Sequence, residues 1–395
     1  MTLDERFMKI ALFCAALGRG QVEPNPMVGA VFVRNGREIA RGFHRKFGGP
    51  HAEAEAVRAA VAARDDLRGA TLYVTLEPCS HTNKKTPPCA PMLVELGLAR
   101  VVVAMEDPDS NVRGRGIELL RQAGVAVEVG VCEPTARKLL RAYTKLRTQD
   151  RPWVICKWAQ TADGYLALPP GQGRWISDSL SRGEVHELRG RCDAILVGSG
   201  TVRADDPLLN NRSGKGRDPL RIVLDTTLQI PMTSQLVTTA GELPLMVVTA
   251  EKSLVDFAST ASALRQAGAE ILPLPNGPHD LPALLDELGR RGMTHLLVEG
   301  GLSVHTNFLS AGLADEVLAY ISPRILSQEF GPEVLETLPR LHIDEVIAQA
   351  NASGAQDAPR YELDEKYLLG DDRVQRFVRQ PIDAPPSFDA NEVYE

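Results

Sequence analysis

Short runs of β-branched and apolar residues alternate with helical patterns along most of the chain. The first such runs are VGAVFVRNG, ATLYVTLEP, ARVVVAMED and VAVEVGV. Helical periodicity occupies the intervals between and around them, over residues 4–18, 53–64, 89–97, 114–124 and 133–147. Strands that alternate with helices are typical of layered folds in which helices cover a sheet. The pattern therefore predicts an α/β fold.

The alternation restarts after a polar stretch that ends at Arg151-Pro152. The 395 residues are more than one hydrophobic core usually holds. We therefore predict a first domain over residues 1–147 and a second over 151–379. The second set of strands is PWVICKWAQT, CDAILVGSG, PLRIVLD, PLMVVTA, HLLVEGG and EVLAYISP, with helices at 179–190, 254–267, 281–291 and 303–312 and a closing hairpin over 359–379.

Charge and composition exclude several classes of protein. The formal net charge is −7 and no long basic run is present, which disfavours nonspecific binding of nucleic acid but allows a local phosphate pocket. The start of the chain has Asp4 and Glu5 before its apolar part, which itself carries Lys9, so an amphipathic helix is favoured over a signal peptide. No run of eighteen apolar residues is present, and we expect a cytoplasmic protein. Residues 380–395 are proline-rich and acidic and are predicted to be disordered.

Of the six cysteines, Cys79 and Cys89 alone lie close together and are flanked by loop residues. A chain of this length without export features does not need a disulfide framework, so a metal or catalytic role is favoured for this pair. With His51 they make a set of three zinc ligands, and catalytic zinc sites keep the fourth position open for water. Prolines beside both cysteines favour helix N-termini there, where a thiol pKa is lowered.

Glu53 follows His51 by two residues at a predicted helix start, within reach of the metal site without being a ligand. The pattern H-x-E followed by P-C is typical of zinc-dependent nucleobase deaminases, in which the glutamate moves protons between water, ring and ammonia. Nine residues, 80–88, separate the two cysteines here, whereas that signature has two, so a loop must intervene. The alternative is that His51 caps a helix and both cysteines are simply buried.

Four segments around this site carry a family resemblance: PNPMVGAV, GFHRKFGGPHAE, TLEPCSH and TPPC. They resemble the bifunctional deaminase–reductase family of riboflavin biosynthesis. The resemblance implies a cytidine-deaminase-like three-layer α/β/α domain acting on a diaminopyrimidinone with a ribosylamino 5′-phosphate. By matching position, Asn25 and His44 would line the substrate pocket and Lys85 would meet the phosphate. The family loop is usually one residue shorter, so Lys84 is an alternative match.

The second half has two glycine-rich turns that follow strands, GSGTVRADDP and VEGG. The latter precedes a predicted helix whose N-terminal amides favour an anion. Neither turn is specific by itself, and no G-x-G-x-x-G follows the first strand. The histidines outside these motifs, His186 among them, show no partner pattern and are interpreted as structural or surface residues.

The order of segments in this half is similar to the reductase half of the same family: KWAQTADG, RWIS, LRGRCDAILVGSGTVRADDPLL, RIVLD, VEGG and ADEVLAYISP. The resemblance implies a dihydrofolate-reductase-like α/β domain that uses NADPH to reduce a ribosyl group to a ribityl chain. The implied substrate contacts are Arg189, Leu209, Arg212 and Glu299. The implied cofactor contacts are Gln160, Trp175, Thr201, Asp205, Gly301, Leu302, Ser303, Val304 and His305. The chain departs from the family at Gly173, where a serine is usual.

Two other functions stay open at this point. One is a nucleic-acid base deaminase with a C-terminal binding module, which the acidic balance disfavours. The other is a deaminase whose second half is a scaffold. For the favoured function we expect a small pyrimidine nucleotide as substrate, no nucleic-acid or membrane partner, and a homo-oligomer. The choice between NADPH and NADH is not determined.

Metal analysis tests the proposed ligand set directly. We expect about one zinc per chain in gently purified protein, because three thiolate and imidazole ligands retain zinc through purification. Full deaminase activity in a preparation without zinc would contradict the metal site.

Overall fold

Two sheets, one in each of two units of the chain, organise the fold. The computed structural model describes residues 1–80, 87–352 and 360–380. The first unit contains Met1–Pro152 and Gly289–Thr294, and the second contains Trp153–Leu288 and the described residues from His295 onward. Within the described ranges, no helix has the length and apolar character needed to cross a membrane.

A mixed five-stranded sheet with the strand order β2-β1-β3-β4-β5 forms the centre of the first unit. Strand β1 runs antiparallel to β2 and β3, whereas β3, β4 and β5 are parallel. The elements are α1 Leu3–Ala16, β1 Gly29–Arg34, β2 Arg37–Phe43, α2 Ala52–Ala63, β3 Thr71–Val74, α3 Cys89–Glu95, β4 Arg100–Val103, α4 Arg115–Gln122, β5 Ala126–Val129, α5 Glu133–Leu139 and α6 Arg141–Gln149.

Helices cover both faces of this sheet because the side chains of its strands alternate between two cores. In β1, Ala30 and Phe32 belong to the core that contains the alanines of α2, together with residues of α3 and α4. Val31 and Val33 belong to the opposite core, which contains residues of α1, α5 and α6. The three-layer α/β/α arrangement implied by the family resemblance is thereby confirmed.

A nine-stranded sheet with the order β10-β9-β8-β7-β11-β6-β12-β14-β13 forms the second unit. The strands from β10 to β12 in that order are parallel, and β14 and β13 add antiparallel. The elements are β6 Trp153–Thr161, α7 Ser179–Arg189, β7 Ala194–Gly198, α8 Ser199–Asp205, β8 Leu220–Leu224, α9 Gln235–Thr238, β9 Leu245–Ala250, α10 Glu251–Asp256, α11 Ala258–Gln266, β10 Glu270–Leu274, α12 Leu281–Arg290, β11 His295–Val298, α13 Leu302–Ser310, β12 Glu316–Ser322, α14 Pro332–Leu335, α15 Ile343–Ala352, β13 Arg360–Leu369 and β14 Asp372–Gln380.

The sequence pattern located most of these elements but missed or merged several. Two predicted helices are each broken into two, at Leu140 and at Phe257. Strand β2 was missed because charged residues and a glycine interrupt the apolar residues of its sequence, REIARGF. Gln380, predicted to lie in a disordered tail, is the last residue of β14, and the rest of that predicted tail lies outside the described residues.

Candidate functional site

His51, Cys79 and Cys89 converge where α2 and α3 begin. His51 is the N-cap of α2 without a capping hydrogen bond from its side chain, and Cys89 is the first residue of α3. The Nδ1 atom of His51 lies 3.5 Å from Cys79 Sγ and 3.4 Å from Cys89 Sγ. One potential ligand atom from each residue lies within 4.8 Å of the other two. Atoms about 2.0–2.3 Å from a tetrahedral zinc are about 3.5 Å apart, so the three fit one ion.

A hydrogen bond links the two thiols. This bond, followed by His51, lowers the pKa of Cys79 against the effect of burial. The same bond, followed by burial, raises the pKa of Cys89. Cys79 is not at a helix N-terminus as predicted, but its Sγ accepts the backbone N–H of Cys89, the first amide of α3, at 3.4 Å. The sulfur therefore receives the stabilisation that the prediction expected from a helix start.

Glu53 places a buried carboxyl beside this cluster. It lies in the first turn of α2 and is 3% exposed. Burial, followed by the nearby Cys79, raises its pKa to about 7, while His51 acts in the opposite direction. A carboxyl that titrates near neutral pH can both accept and return a proton, which general acid–base catalysis requires.

A second buried carboxylate, Glu77, holds the segment that carries Cys79. Its oxygens accept the backbone N–H groups of Asp107 at 3.2 Å, Gly114 at 2.8 Å and Gly116 at 2.8 Å. At Gly116 an added Cβ would lie 1.9 Å from the carbonyl oxygen of Pro78, so only glycine allows this close approach. The sequence pattern did not identify Glu77 or Gly116, although both hold the segment that carries Cys79.

Asn25 and His44 lie next to the cluster. The His44 Nδ1 is 2.8 Å from the Pro50 carbonyl oxygen, and its Nε2 is 3.1 Å from Asn25 Nδ2. Those partners require an N–H at Nδ1 and a lone pair at Nε2, so the ring is neutral. Burial, followed by the neighbouring His51, lowers the pKa of His44. The predicted phosphate contact Lys85 and its alternative Lys84 lie outside the described residues.

In the second unit, Glu299 lies between two cations. Arg189 forms a two-pronged ion pair with it, with N–O distances of 2.7 and 2.9 Å, and Lys157 Nζ lies 3.5 Å from Oε2. Burial would raise the pKa of Glu299, but Arg189 and Lys157 outweigh it and lower the pKa to about 2. Glu299 is therefore ionised at neutral pH and serves as a hydrogen-bond acceptor.

The other predicted substrate residues of this unit follow β7 and α8. Leu209 is buried and has a left-handed φ of 55°, and the carbonyl of Asn210 accepts from Arg189 Nη1 at 3.3 Å. Arg212 is exposed. The structure thus brings Arg189 to Glu299 and to the backbone of the 209–212 segment.

Most of the predicted cofactor residues lie at or next to the N-terminus of α13. Gly301, the N-cap of α13, donates its N–H to Thr201 Oγ1 at 3.0 Å, and Leu302, Ser303 and Val304 form the first turn of α13. His305 is 2% exposed with its ring 5.3 Å from that of Trp158.

The remaining cofactor candidates differ in exposure. Trp175 is 55% exposed and lies under the guanidinium groups of Arg174 and Arg182. Asp205 ends α8, and its carbonyl accepts from Arg174. The Gln160 side chain is turned into the interior, where its Oε1 accepts from Trp158 Nε1 at 2.9 Å and from the Ile343 amide at 3.1 Å. Any contact of Gln160 with a cofactor would therefore come from its backbone.

Known proteins match both units. Residues 1–105 match the cytidine and deoxycytidylate deaminase zinc-binding region, and residues 152–350 match the RibD C-terminal domain. The riboflavin biosynthesis protein RibD of Aquifex aeolicus is 41% identical over 82% of this chain and 88% of its own length. The Escherichia coli protein of the same name is 35% identical over 93% of this chain and 97% of its own.

The chain belongs to the RibD family. A Thermotoga maritima crystal structure described as a diaminohydroxyphosphoribosylaminopyrimidine deaminase and 5-amino-6-(5-phosphoribosylamino)uracil reductase is 35% identical and superposes with a TM-score of 0.79 over 96% of this chain and 99% of that chain. RibD of Acinetobacter baumannii superposes with a TM-score of 0.77 at 31% identity, with the same two coverages. The family carries the deaminase-like and reductase folds that the resemblance implied.

Sequence reasoning missed Lys157 in the second RibD unit. It stands in an otherwise apolar and aromatic run, WVICKWAQT, and a lone cation in such a strand is the signal that would have identified it. Burial lowers its pKa, and Glu299 opposes this effect.

The buried ion cluster predicts how the second unit responds to pH. In Glu299→Gln, Arg189 and Lys157 lose their counter-charge, and we expect the free energy of unfolding at pH 7 to fall by about 3 kcal/mol. Because the pKa of Glu299 is lowered from 4.5 to about 2, the stability it provides is present above pH 4.5 and is lost as the pH falls toward 2. Urea unfolding of both proteins should therefore show a difference that shrinks below pH 4.5.

Glu345→Gln is the matched control, since it breaks an exposed ion pair with Arg340. Its effect should stay below about 1 kcal/mol. A Glu299→Gln effect no larger than this, or one independent of pH, would refute the buried cluster as a source of stability.

Proposed function

We propose that this chain is a bifunctional enzyme of riboflavin biosynthesis. Its first domain, residues 1–147, deaminates the diaminopyrimidinone ribosylamino 5′-phosphate, and its second, residues 151–379, reduces the ribosyl group of the product to a ribityl chain with NADPH. The observation that carries the proposal is the convergence of His51, Cys79 and Cys89 with the buried carboxyl of Glu53. Family membership supports the pairing of the two activities, and the Thermotoga maritima relative is described as carrying both.

In the deaminase, His51, Cys79 and Cys89 are proposed to hold zinc. Zinc held by these three residues would lower the pKa of a water molecule and so would supply the nucleophile for the ring carbon that bears the amino group. Glu53 takes the proton of that water and returns it to the ring nitrogen and to the departing ammonia. Its pKa of about 7 suits both roles. Asn25, whose Nδ2 is held by His44, has its carboxamide oxygen available for a donor on the pyrimidine or the sugar.

In the reductase, the N-terminal turn of α13 with Gly301 and Thr201 is proposed to bind the dinucleotide phosphates, because helix amides and a nearby hydroxyl suit an anion. Arg189 and Arg212 are proposed to bind the substrate phosphate. Glu299, ionised and held by Arg189, would accept hydrogen bonds from the substrate. NADPH bound there would supply the hydride for the imine carbon of the opened ribosyl group.

The partners of the enzyme remain part of the proposal. A small pyrimidine nucleotide is the expected substrate, and no nucleic acid, membrane or protein partner other than a second copy is invoked.

The burial of Lys157, Arg189 and Glu299 favours a reductase over a scaffold, because buried ions cost stability that a scaffold has no reason to give up.

Glu53→Gln separates the two activities. We expect the variant to keep zinc and to lose ammonia release by at least about a hundredfold, because no carboxylate remains to move the proton. Reduction of supplied deaminated substrate should continue at the normal rate. Ammonia release and NADPH oxidation, measured together on the diaminopyrimidinone nucleotide, test both halves in one assay.

The matched control is Glu55→Gln, also in the first turn of α2, where the side chain instead pairs with Arg45 and Arg58. Glu55→Gln should release ammonia at the normal rate. Normal release from Glu53→Gln would remove this residue from the mechanism, and wild-type protein that releases no ammonia would contradict the deaminase.

Cofactor binding should raise the melting temperature of the reductase domain. With NADPH at about a hundred times its Kd, the stabilisation is about 2.7 kcal/mol, since ligand that binds only the folded state shifts the equilibrium by mass action. Calorimetry with NADPH and with NADH would also show which dinucleotide is preferred. The absence of a shift at millimolar concentrations of both would favour the scaffold.

A further inference from the structure

We propose that His186 is a further ligand of the phosphate group on the reductase substrate, and that it binds this group as an imidazolium ion. The proposal rests on the proposed reductase function. It changes the interpretation of a histidine that the sequence pattern left among structural and surface residues.

His186 lies in the last turn of α7, three residues before Arg189. Residues three apart on a helix share a face, so the two side chains are neighbours. Val185, directly before His186, is buried in the core and fixes which face of the helix is turned inward. Arg189 in turn reaches Glu299 and the carbonyl of Asn210, which places His186 at the same pocket.

Two buried polar atoms in this pocket have no hydrogen-bond partner among the described residues. They are Nδ1 of His186 and Oδ1 of Asn210. Buried polar atoms are nearly always satisfied, so a pair of orphans beside Arg189 indicates groups that a ligand completes. A phosphorylated sugar offers both kinds of partner: an anionic oxygen for a ring N–H and a hydroxyl for an amide oxygen.

The charges of the pocket favour a dianion. Lys157 and Arg189 together exceed the single negative charge of Glu299 by one, and Arg212 adds another cation that makes no ion pair within the described ranges. The pocket therefore carries two positive charges beyond those that its own carboxylate neutralises. A phosphate monoester at neutral pH carries a matching charge.

In the absence of a ligand, the surroundings of His186 favour its neutral form. Burial lowers its pKa, followed by Arg189 and Arg212, while the Asn210 carbonyl and Glu299 act in the opposite direction. A bound dianion would offset both arginines and raise the pKa of the ring. Binding should then be accompanied by uptake of a proton, so that His186 donates to the phosphate.

Steady-state kinetics of His186→Asn test the contact. With saturating NADPH, we expect the KM for the deaminated substrate to rise about tenfold, as for the loss of one charge-assisted hydrogen bond. The KM of the dephosphorylated substrate, and kcat for both, should stay within about twofold. His279→Asn, at a position of the same unit outside this pocket, should behave as wild type.

A phosphate monoester in this pocket belongs either to the reductase substrate or to NADPH. Kinetics with NADPH and with NADH, which lacks that phosphate, distinguish the two. An effect on the KM of NADPH but not of NADH would assign His186 to the cofactor phosphate and overturn the proposal. An equal rise in KM for the phosphorylated and dephosphorylated substrates would indicate a packing defect and would overturn it as well. His186→Gln provides a second variant if the asparagine destabilises the fold.

Sulfate, which stays dianionic between pH 6 and 8, probes the protonation. We expect sulfate to bind wild-type protein about tenfold more tightly at pH 6 than at pH 8, and to raise the pKa of His186 as followed by histidine NMR. Binding to His186→Asn should depend little on pH. This measurement needs no turnover, so it tests His186 even if the wild-type chain reduces no substrate. An inactive wild-type chain would refute the proposed reductase function but not the role of His186 in binding the anion. Sulfate binding that is independent of pH in wild type would refute the role of His186.

Discussion

A charge removed from water needs a partner of opposite sign or several directed hydrogen bonds, and both candidate sites are built under this constraint. Glu77 meets it with backbone amides that follow β4, and in doing so fixes the segment before Cys79. Glu299 meets it with Arg189 and Lys157. In the first unit, the hydrogen bonds of Glu77 also position the segment of Cys79, which is proposed to bind metal. In the second unit, the ion pair with Glu299 also positions Arg189, which is proposed to bind substrate.

Arg221 shows the same constraint without a carboxylate. It is 1% exposed, and burial lowers the pKa of its guanidinium to about 10. Its N–H groups donate to the Thr239 hydroxyl and to backbone carbonyls, including that of Leu208, which directly precedes the buried Leu209. The loop that carries one predicted substrate residue is thereby tied to the sheet by a cation that lies deep inside the unit.

The sequence pattern was most successful where chemistry restricts the residue type. Imidazole and thiolate ligands, a neighbouring carboxylate and proline-flanked cysteines rarely occur together outside a metal site, and the structure brings His51, Cys79 and Cys89 within reach of one ion. The pattern was least successful where a residue acquires its role only from neighbours distant in the chain. Lys157 and Glu299 are 142 positions apart (299 − 157), and no local periodicity relates them. Gln160 shows the opposite case, in which a local motif suggests a role that the fold does not give to the side chain. The family resemblance implies a cofactor contact there, but the Gln160 side chain is hydrogen-bonded inside the protein.

The sequence by itself determined the alternation of strands and helices and the α/β class, and it indicated the proposed metal-ligand set and the proposed proton-transferring carboxylate, because each depends on local periodicity or on the intrinsic chemistry of a few side chains. The tertiary structure alone decided in which direction the pKa of each thiol is shifted, how burial brings the pKa of Glu53 to about 7 and which cations surround Glu299. Those properties depend on burial and on distances between segments far apart in the chain, and an electrostatic field of that kind exists only once the segments have folded together.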